Sequence, residues 1–238
     1  MSGSRRPRRA ILVLTCEHAG NRIPREYARL FAGAGAVLAS HRGWDPGVLR
    51  LARLLAKLLR RPLLSTQWSR LLVEANRSAH RSKIWSRFTA NLPAAERQRI
   101  LGRYWRPHRE AVERAIAAAV AARRVVVHVA VHTFTPELDG EVRNADVAFL
   151  YDSSRRPEAA LARRWGGLLR AAVPGLRVRN NYPYRGDTDG LPTAMRRQYA
   201  AARYRGFELE VNQALFAGPR WRRVGEALAA ILGREHGA

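Results

Sequence analysis

The sequence is poor in features that would place it outside the cell or in a membrane. Its 238 residues include one cysteine, Cys16, so no disulfide can form within the chain. That usage is typical of a reducing compartment. No stretch approaches the roughly 20 apolar residues that a membrane-spanning helix needs. We therefore expect a cytoplasmic protein with no membrane partner.

Lysine is also scarce, and this absence bears on the charge. Only Lys57 and Lys83 are lysines, so 41 of the 43 basic residues are arginine, against 19 acidic residues. The formal net charge of +24 would attract phosphate-bearing partners. However, the arginines are spread along the chain and no nucleic-acid-binding motif accompanies them. An arginine-rich nucleic-acid-associated protein is therefore the alternative hypothesis rather than the leading one.

Hydrophobic residues make up 47% of the chain, which is enough for a substantial core. The length suits one large domain, and no linker divides the sequence. We predict a disordered basic tail over residues 1–9 and one domain over 10–238.

Apolar runs typical of strands alternate with amphipathic helical patterns. Residues 10–16 and 125–131 are predicted as buried strands, the second of them central to the sheet. Val48–Leu59 has apolar residues at helical spacing. The other predictions are strands over 145–151, 176–178 and 207–211, helices over 158–172 and 220–232, a helix over 94–122 that is interrupted or kinked near Pro107, and a loop over 180–191. This alternation predicts a single α/β domain whose central sheet is mostly parallel and flanked by helices.

Polar residues follow several of these strands, at the sheet edge where active sites of α/β proteins collect. His18 follows the first strand, Asp45 precedes the first long helix, and His132 ends the central strand. Two histidines and a carboxylate with an open position for water would suit catalytic zinc. Glu17 is the rival carboxylate ligand, or else a partner that orients a ligand histidine.

Further residues could complete such a site. Glu210, on the last predicted strand, is a candidate general base, and it shares a strand face with Glu208. Arg77 could hold a substrate carboxylate with two parallel hydrogen bonds, and Arg143 is a second candidate for this role. The spacing alone is a weak signal, because the candidate ligands lie far apart and no compact metal motif is present.

Blocks of sequence that contain these residues resemble the N-formylglutamate amidohydrolase family, and they occur in the family's order between about residues 11 and 216. The blocks are CEHA at 16–19 with IP at 23–24, HRGWDPG at 41–47, SRL at 69–71 with EANR at 74–77, HTFTP at 132–136 with DG at 139–140 and Arg143, NYPY at 181–184 and ELE at 208–210. The sequence departs from the family at Glu74, where relatives usually have Asp, and after Glu210, where they often have an arginine.

The resemblance implies a fold similar to the zinc carboxypeptidases and aspartoacylase. It implies Zn²⁺, or another divalent metal, and hydrolysis of a small N-acyl amino acid, with N-formyl-L-glutamate giving formate and glutamate. By the same resemblance His18, Asp45 and His132 would be metal ligands and Glu210 the general base. Asn76 and Arg77 would hold the substrate carboxylate or the developing oxyanion. The implied substrate-binding set is Asn76, Arg77, Arg143 and Thr133. Another N-acyl amino acid or a small peptide is the rival substrate.

Structural interpretations compete at several of these positions. Asp45 precedes Pro46, which suits a helix cap followed by proline at the first helical position. His128 shares a strand face with His132 and is predicted to be a buried, hydrogen-bonded core residue. The remaining histidines are predicted to lie at the surface; they are His41, His80, His108 and His236.

Overall fold

The computed structural model describes residues 10–235, so the predicted tail over 1–9 and His236 lie outside the described residues. The strands are β1 (Ile11–Cys16), β2 (Leu63–Ser65), β3 (Val126–Phe134), β4 (Glu137–Leu138), β5 (Glu141–Val142), β6 (Val147–Leu150), β7 (Val178–Asn180) and β8 (Tyr204–Asn212). The α-helices are α1 (Gly35–Ala39), α2 (Val48–Leu59), α3 (Ala94–Ile100), α4 (Arg106–Ala121), α5 (Arg156–Ala172), α6 (Leu191–Gln198) and α7 (Arg220–Gly233).

Six strands form the central sheet in the order β2-β1-β3-β8-β6-β7. Strands β2, β1, β3 and β8 are parallel, whereas β6 pairs antiparallel with β8 and carries β7 beside it. β4 and β5 form a separate antiparallel hairpin. The prediction of an α/β domain with a mostly parallel sheet is confirmed.

Helices cover both faces of this sheet, which explains why every residue of β3 is buried. Helices α2, α5 and α7 pack on one face, against alternate apolar residues such as Leu14, Val129 and Leu209. Helices α4 and α6 pack on the other face, against Val13 and Tyr204. No helix within residues 10–235 is long and apolar enough to cross a membrane.

Several helix and strand boundaries differ from the prediction, and some of these elements carry candidate site residues. β3 continues to Phe134 because β8 pairs with it as far as Asn212, so His132 lies inside the strand rather than after it. The predicted helix over 94–122 is interrupted by a π-helical turn at Leu101–Trp105, just ahead of Pro107. Helix α6 was not predicted, because its first residues end a loop rich in turn-forming residues.

His128 is a buried core residue with hydrogen-bond partners on both ring nitrogens, as predicted. Its Nε2 lies 2.9 Å from Thr15 Oγ1 and its Nδ1 lies 2.6 Å from the Tyr204 hydroxyl. Burial disfavours the charged ring and lowers the pKa of His128 to about 4. The ring therefore stays neutral in the folded protein at pH values where an unfolded histidine is protonated.

This pKa predicts a loss of stability at acid pH. Between the ordinary histidine pKa of 6.5 and about 4, the unfolded chain binds a proton at His128 that the folded protein does not. The free energy of unfolding should therefore fall by up to about 1.4 kcal/mol per pH unit from this residue alone. In His128→Gln this contribution to the pH dependence of the unfolding free energy should be absent. Urea denaturation at a series of pH values between about 4 and 6.5 measures it. The exposed His80→Gln should keep the wild-type slope, and equal slopes in all three proteins would refute the assignment.

Candidate metal and catalytic site

A cavity of about 580 Å³ opens at the carboxyl ends of the parallel strands β1, β3 and β8. His18 follows β1, His132 lies near the end of β3, and Glu210 lies near the end of β8; all three line the cavity. Asp45 joins them from the turn before α2. The candidate residues therefore meet at the edge of the sheet where the sequence predicts the site.

His18, Asp45 and His132 offer ligand atoms that all lie within 4.8 Å of one another. The Nδ1 atoms of His18 and His132 lie 3.3 and 3.1 Å from the same Asp45 oxygen, Oδ2. The two rings meet edge to face, with centroids 4.9 Å apart. All three residues are buried. The arrangement offers two imidazole nitrogens and one carboxylate oxygen to a common point.

Asp45 does not cap a helix, so the cap interpretation is wrong. Helix α2 begins at Val48, and Gly47 occupies the capping position with φ of 85°. A side chain on Gly47 would also approach the Phe216 ring to 2.8 Å, so glycine is required at this turn. The turn leaves the Asp45 carboxylate free to face the histidines and to accept a hydrogen bond from the Thr133 backbone N–H at 3.3 Å.

Each of the two histidines has a second carboxylate behind it. Glu17 Oε2 lies 3.2 Å from His132 Nε2, and Glu74 Oε1 lies 2.5 Å from His18 Nε2. Glu17 is outside the group formed by His18, Asp45 and His132, and its position is that of a partner that orients a ligand histidine. The role of Glu74 was not predicted, although it lies in the EANR block where relatives usually have the shorter acid.

Arg70 ties two of these carboxylates together, and it was not predicted as a site residue. Its guanidinium contacts Glu74 Oε2 at 2.6 Å and Asp45 Oδ1 at 3.4 Å. Since the carboxylates are buried, they need such a cation to be stable. The only sequence signal for Arg70 was its membership of the SRL block.

Neighbouring opposite charges, rather than burial, decide the pKa values of Asp45 and His132. Burial alone would raise the pKa of Asp45, but the His18 and His132 rings outweigh burial and hold the pKa of this carboxyl well below its usual range. Burial alone would lower the pKa of His132, but the hydrogen bond to Asp45 and the adjacent carboxylate of Glu17 raise it well above that of an ordinary histidine. Without a metal ion the cluster is therefore a network of buried ion pairs.

Glu210 is in a different environment from these paired acids. It lies opposite His132 in the pairing of β3 and β8, and its Oε2 has no hydrogen-bond partner within residues 10–235. Burial raises the pKa of Glu210 to about 7. Glu208, on the same strand face, instead accepts a 2.7 Å hydrogen bond from Asn76 Nδ2. Of the two, Glu210 has the properties of a general base that works near neutral pH.

Asn76 and Arg77 both reach the cavity, but their contacts differ. Both the nitrogen and the oxygen of the Asn76 amide have a partner, since Nδ2 donates to Glu208 and Oδ1 accepts a 2.7 Å hydrogen bond from Leu191 N–H. The Arg77 guanidinium lines the cavity and donates to the backbone carbonyl of Asp189. Asn76 therefore holds β8 and the start of α6 in place, whereas Arg77 is available to a ligand.

The side chains of Thr133 and Arg143 also form hydrogen bonds within the protein. The Thr133 hydroxyl donates to the Pro46 carbonyl at 2.9 Å, which fixes the turn that carries Asp45. Arg143 donates to the Tyr184 hydroxyl at 2.9 Å, and its guanidinium carbon lies 4.9 Å from the centre of that ring. Tyr184, rather than Arg143, forms the cavity wall there.

His108 was predicted at the surface, and this prediction is wrong. Its side chain is only 6% exposed, and its Nε2 lies 3.1 Å from Glu17 Oε1. His41 is half-buried and lines the cavity, while His80 is exposed as predicted. His108 lies one helical turn before the buried Val112, on the face of α4 that contacts the rest of the protein.

Comparison with known proteins defines the class of this protein as an amide-hydrolysing enzyme. The family model described as N-formylglutamate amidohydrolase matches residues 10–217, so the chain belongs to the N-formylglutamate amidohydrolase family. This confirms the resemblance inferred from the sequence blocks. Among curated proteins, none gives a significant sequence match.

Two solved structures share the fold over nearly the whole chain. A gene product of Agrobacterium tumefaciens is 29% identical with a TM-score of 0.76, covering 94% of this chain and 87% of that one. N-formylglutamate amidohydrolase from Ralstonia eutropha JMP134 is 20% identical with a TM-score of 0.69, covering 96% and 94%. At 20% identity, the similarity to the Ralstonia eutropha protein shows a shared fold and nothing more.

The buried contacts of Glu74 predict that it is needed for stability. Glu74→Leu removes the nearer of the two carboxylates that face Arg70 and His18. It should lower the free energy of unfolding by about 3 kcal/mol, measured by urea denaturation of metal-free protein. Glu74→Gln keeps an acceptor for Asn76 N–H and should lose about half as much. Glu226 forms an exposed pair with Arg222 at the same spacing in sequence, so Glu226→Leu is the matched control and should change stability by less than about 1 kcal/mol. A Glu74→Leu loss no larger than that of the control would show that the buried network contributes little.

Proposed function

We propose that this protein is a cytoplasmic metal-dependent hydrolase of N-acyl amino acids whose substrate is N-formyl-L-glutamate, giving formate and glutamate. The observation that carries the proposal is the convergence of His18, Asp45 and His132 beside the unpaired carboxylate of Glu210, in one cavity. Family membership supports the reaction type. The cytoplasmic location stays a prediction from the sequence.

The three convergent residues fit a zinc ion. Two imidazoles and one carboxylate are a donor set of catalytic zinc sites, and the shared point faces the cavity, where a substrate can approach. The carboxylates of Glu17 and Glu74 would hold the His132 and His18 rings in orientation. When bound, zinc supplies Lewis acidity, which polarises a carbonyl and makes water a better nucleophile at neutral pH.

Glu210 is the residue proposed to move the proton. It would take a proton from the attacking water and deliver it to the nitrogen of the leaving amine as the C–N bond breaks. Its pKa of about 7 in the metal-free protein favours the neutral acid below that pH. A cation held by His132 and its neighbours would favour the carboxylate and so lower this pKa, leaving Glu210 ionised at neutral pH.

The basic wall of the cavity is proposed to bind the substrate's carboxylates. Arg77, Arg81 and Lys83 line the cavity, and none of them forms an ion pair with a carboxylate in the part of the chain that the structure describes. A guanidinium can bind a carboxylate through two parallel hydrogen bonds, so Arg77 is the proposed anchor. Asn76 and Thr133 would act indirectly, by holding Glu208 and the Asp45 turn.

Two alternatives follow from the sequence. Another N-acyl amino acid or a small peptide could be the substrate, since the cavity also suits ligands larger than N-formylglutamate. A nucleic-acid-associated protein with a silent site would instead be expected to have a broken or filled pocket. The intact pocket with its buried histidines supports the enzyme.

Metal content and turnover should depend on the same histidine. Wild-type protein supplied with zinc should bind about one ion per chain and release formate from N-formyl-L-glutamate. His132→Ala should lose both, because it removes one of three ligands. Elemental analysis and a formate assay measure the two quantities, with the exposed His80→Ala as the control that retains both. Zinc without turnover would keep the site and redirect the search to other N-acyl amino acids, while a wild type that binds no zinc would overturn the proposal.

Glu210 should separate chemistry from metal binding. Glu210→Gln keeps the shape of the side chain but removes the base, so kcat should fall by about 100- to 10,000-fold. Bound zinc and the KM for substrate should change little, because Glu210 is not among the three convergent ligands. Steady-state kinetics with zinc analysis of the same preparation check this. Wild-type-like turnover in Glu210→Gln would exclude it as the base.

A further inference from the structure

We infer that His108 is a positioning residue of the metal site, which holds the ligand His132 in place by fixing Glu17. The inference rests on the proposed metal site but assigns a residue outside the substrate cavity. It concerns a side chain that the reaction itself does not use.

The contacts form a continuous buried path. His108 Nε2 lies 3.1 Å from Glu17 Oε1, and the other oxygen of the same carboxylate lies 3.2 Å from His132 Nε2. His132 Nδ1 then faces Asp45 Oδ2 at 3.1 Å. Glu17 is fully buried, so no water replaces a lost partner at low cost. The contact between Glu17 Oε2 and His132 Nε2 is an ion pair without a hydrogen bond, since neither atom has a hydrogen-bond partner within residues 10–235. The contact with His108 therefore fixes the orientation in which the Glu17 carboxylate faces the His132 ring.

The start of α4, which carries His108, lies close to both Glu17 and Arg77. A π-helical turn at Leu101–Trp105 precedes α4, and such turns shift the phase of the helix that follows. Trp105 Nε1 and Arg109 Nη2 donate to the Arg77 carbonyl at 3.1 and 3.2 Å, while His108 contacts Glu17. One short stretch of chain thus holds both the proposed substrate arginine and the partner of a metal ligand.

His108 does not line the cavity proposed to bind the substrate, which separates its role from catalysis. It lines a second cavity of about 470 Å³, together with residues such as Trp68 and Tyr104. The two cavities have no lining residue in common. A change at His108 should therefore affect the metal through Glu17 without altering the walls that bind the substrate.

The test measures zinc affinity by competition with a chromogenic chelator. His108→Leu fills the space but cannot hydrogen-bond to Glu17, and its zinc Kd should rise about 10- to 100-fold, the usual effect of losing a partner behind a ligand. His108→Gln retains an N–H donor of similar reach and should recover most of this loss. The exposed His80→Leu is the matched control and should bind zinc as the wild type does. Wild-type affinity in His108→Leu would overturn the inference.

A double-mutant cycle tests whether His108 acts through Glu17. Glu17→Gln should itself weaken zinc binding, and adding His108→Leu should then cost little more, because the interaction it removes is already changed. Additive losses would show that His108 acts by another route and would overturn the inference. If His108→Leu fails to fold by circular dichroism, His108→Asn, whose shorter side chain cannot reach Glu17, replaces it in the same cycle. A wild type that binds no zinc would instead overturn the proposed function, so the two failures are distinguishable.

Discussion

The organisation of the site depends on one buried carboxylate that two histidines share. Asp45 Oδ2 faces both His18 and His132, and a bare carboxylate at that depth would be costly. The surrounding residues can be understood as the solution to this cost, since Arg70 supplies a cation and Glu17 and Glu74 balance the rings. A divalent ion would take over the same task of neutralisation. His18 and His132, which face Asp45 in the metal-free protein, are therefore the residues proposed to hold a metal together with it.

The register of the sheet fixes the position of Glu210 relative to these buried residues. Strands β3 and β8 are parallel neighbours, and their register places His132 beside Glu210. A slip of one residue would turn Glu210 towards the opposite face, where α2, α5 and α7 pack. The antiparallel strand β6 closes the other side of β8 and pairs Ala148 with Glu210, so only a small side chain adjoins the base. The distance between base and ligand is thus set by backbone hydrogen bonds rather than by a loop.

The sequence predicted the parts of this site that follow a strand or precede a helix. His18, Asp45 and His132 were candidates because they adjoin the ends of predicted strands or the start of a helix, and the family resemblance then implied that they are ligands. The structure brings the three side chains together. Glu74 and Arg70 were missed as site residues because they lie in turns whose path no periodic pattern describes. His108 was missed although it lies one helical turn before the buried Val112, because no pattern in the sequence indicates that Glu17 lies opposite it.

The cavity offers three cations to the acidic substrate proposed for this protein, because Arg77, Arg81 and Lys83 form no ion pair with a carboxylate within residues 10–235. Four basic and four acidic side chains line it, so their formal charges cancel when Glu210 is ionised, despite the net charge of +24 on the whole chain. A divalent ion at the histidines would be balanced by the buried carboxylates of Glu17 and Glu74, which face His132 and His18 from behind the cavity. The carboxylates of the proposed substrate would therefore be bound by the basic wall of the cavity rather than by an excess of charge at the metal. The basic exterior would meanwhile raise the local concentration of such a dianion and speed its encounter with the site. The arginine excess can therefore serve the proposed enzyme as well as it would serve a nucleic-acid-binding protein.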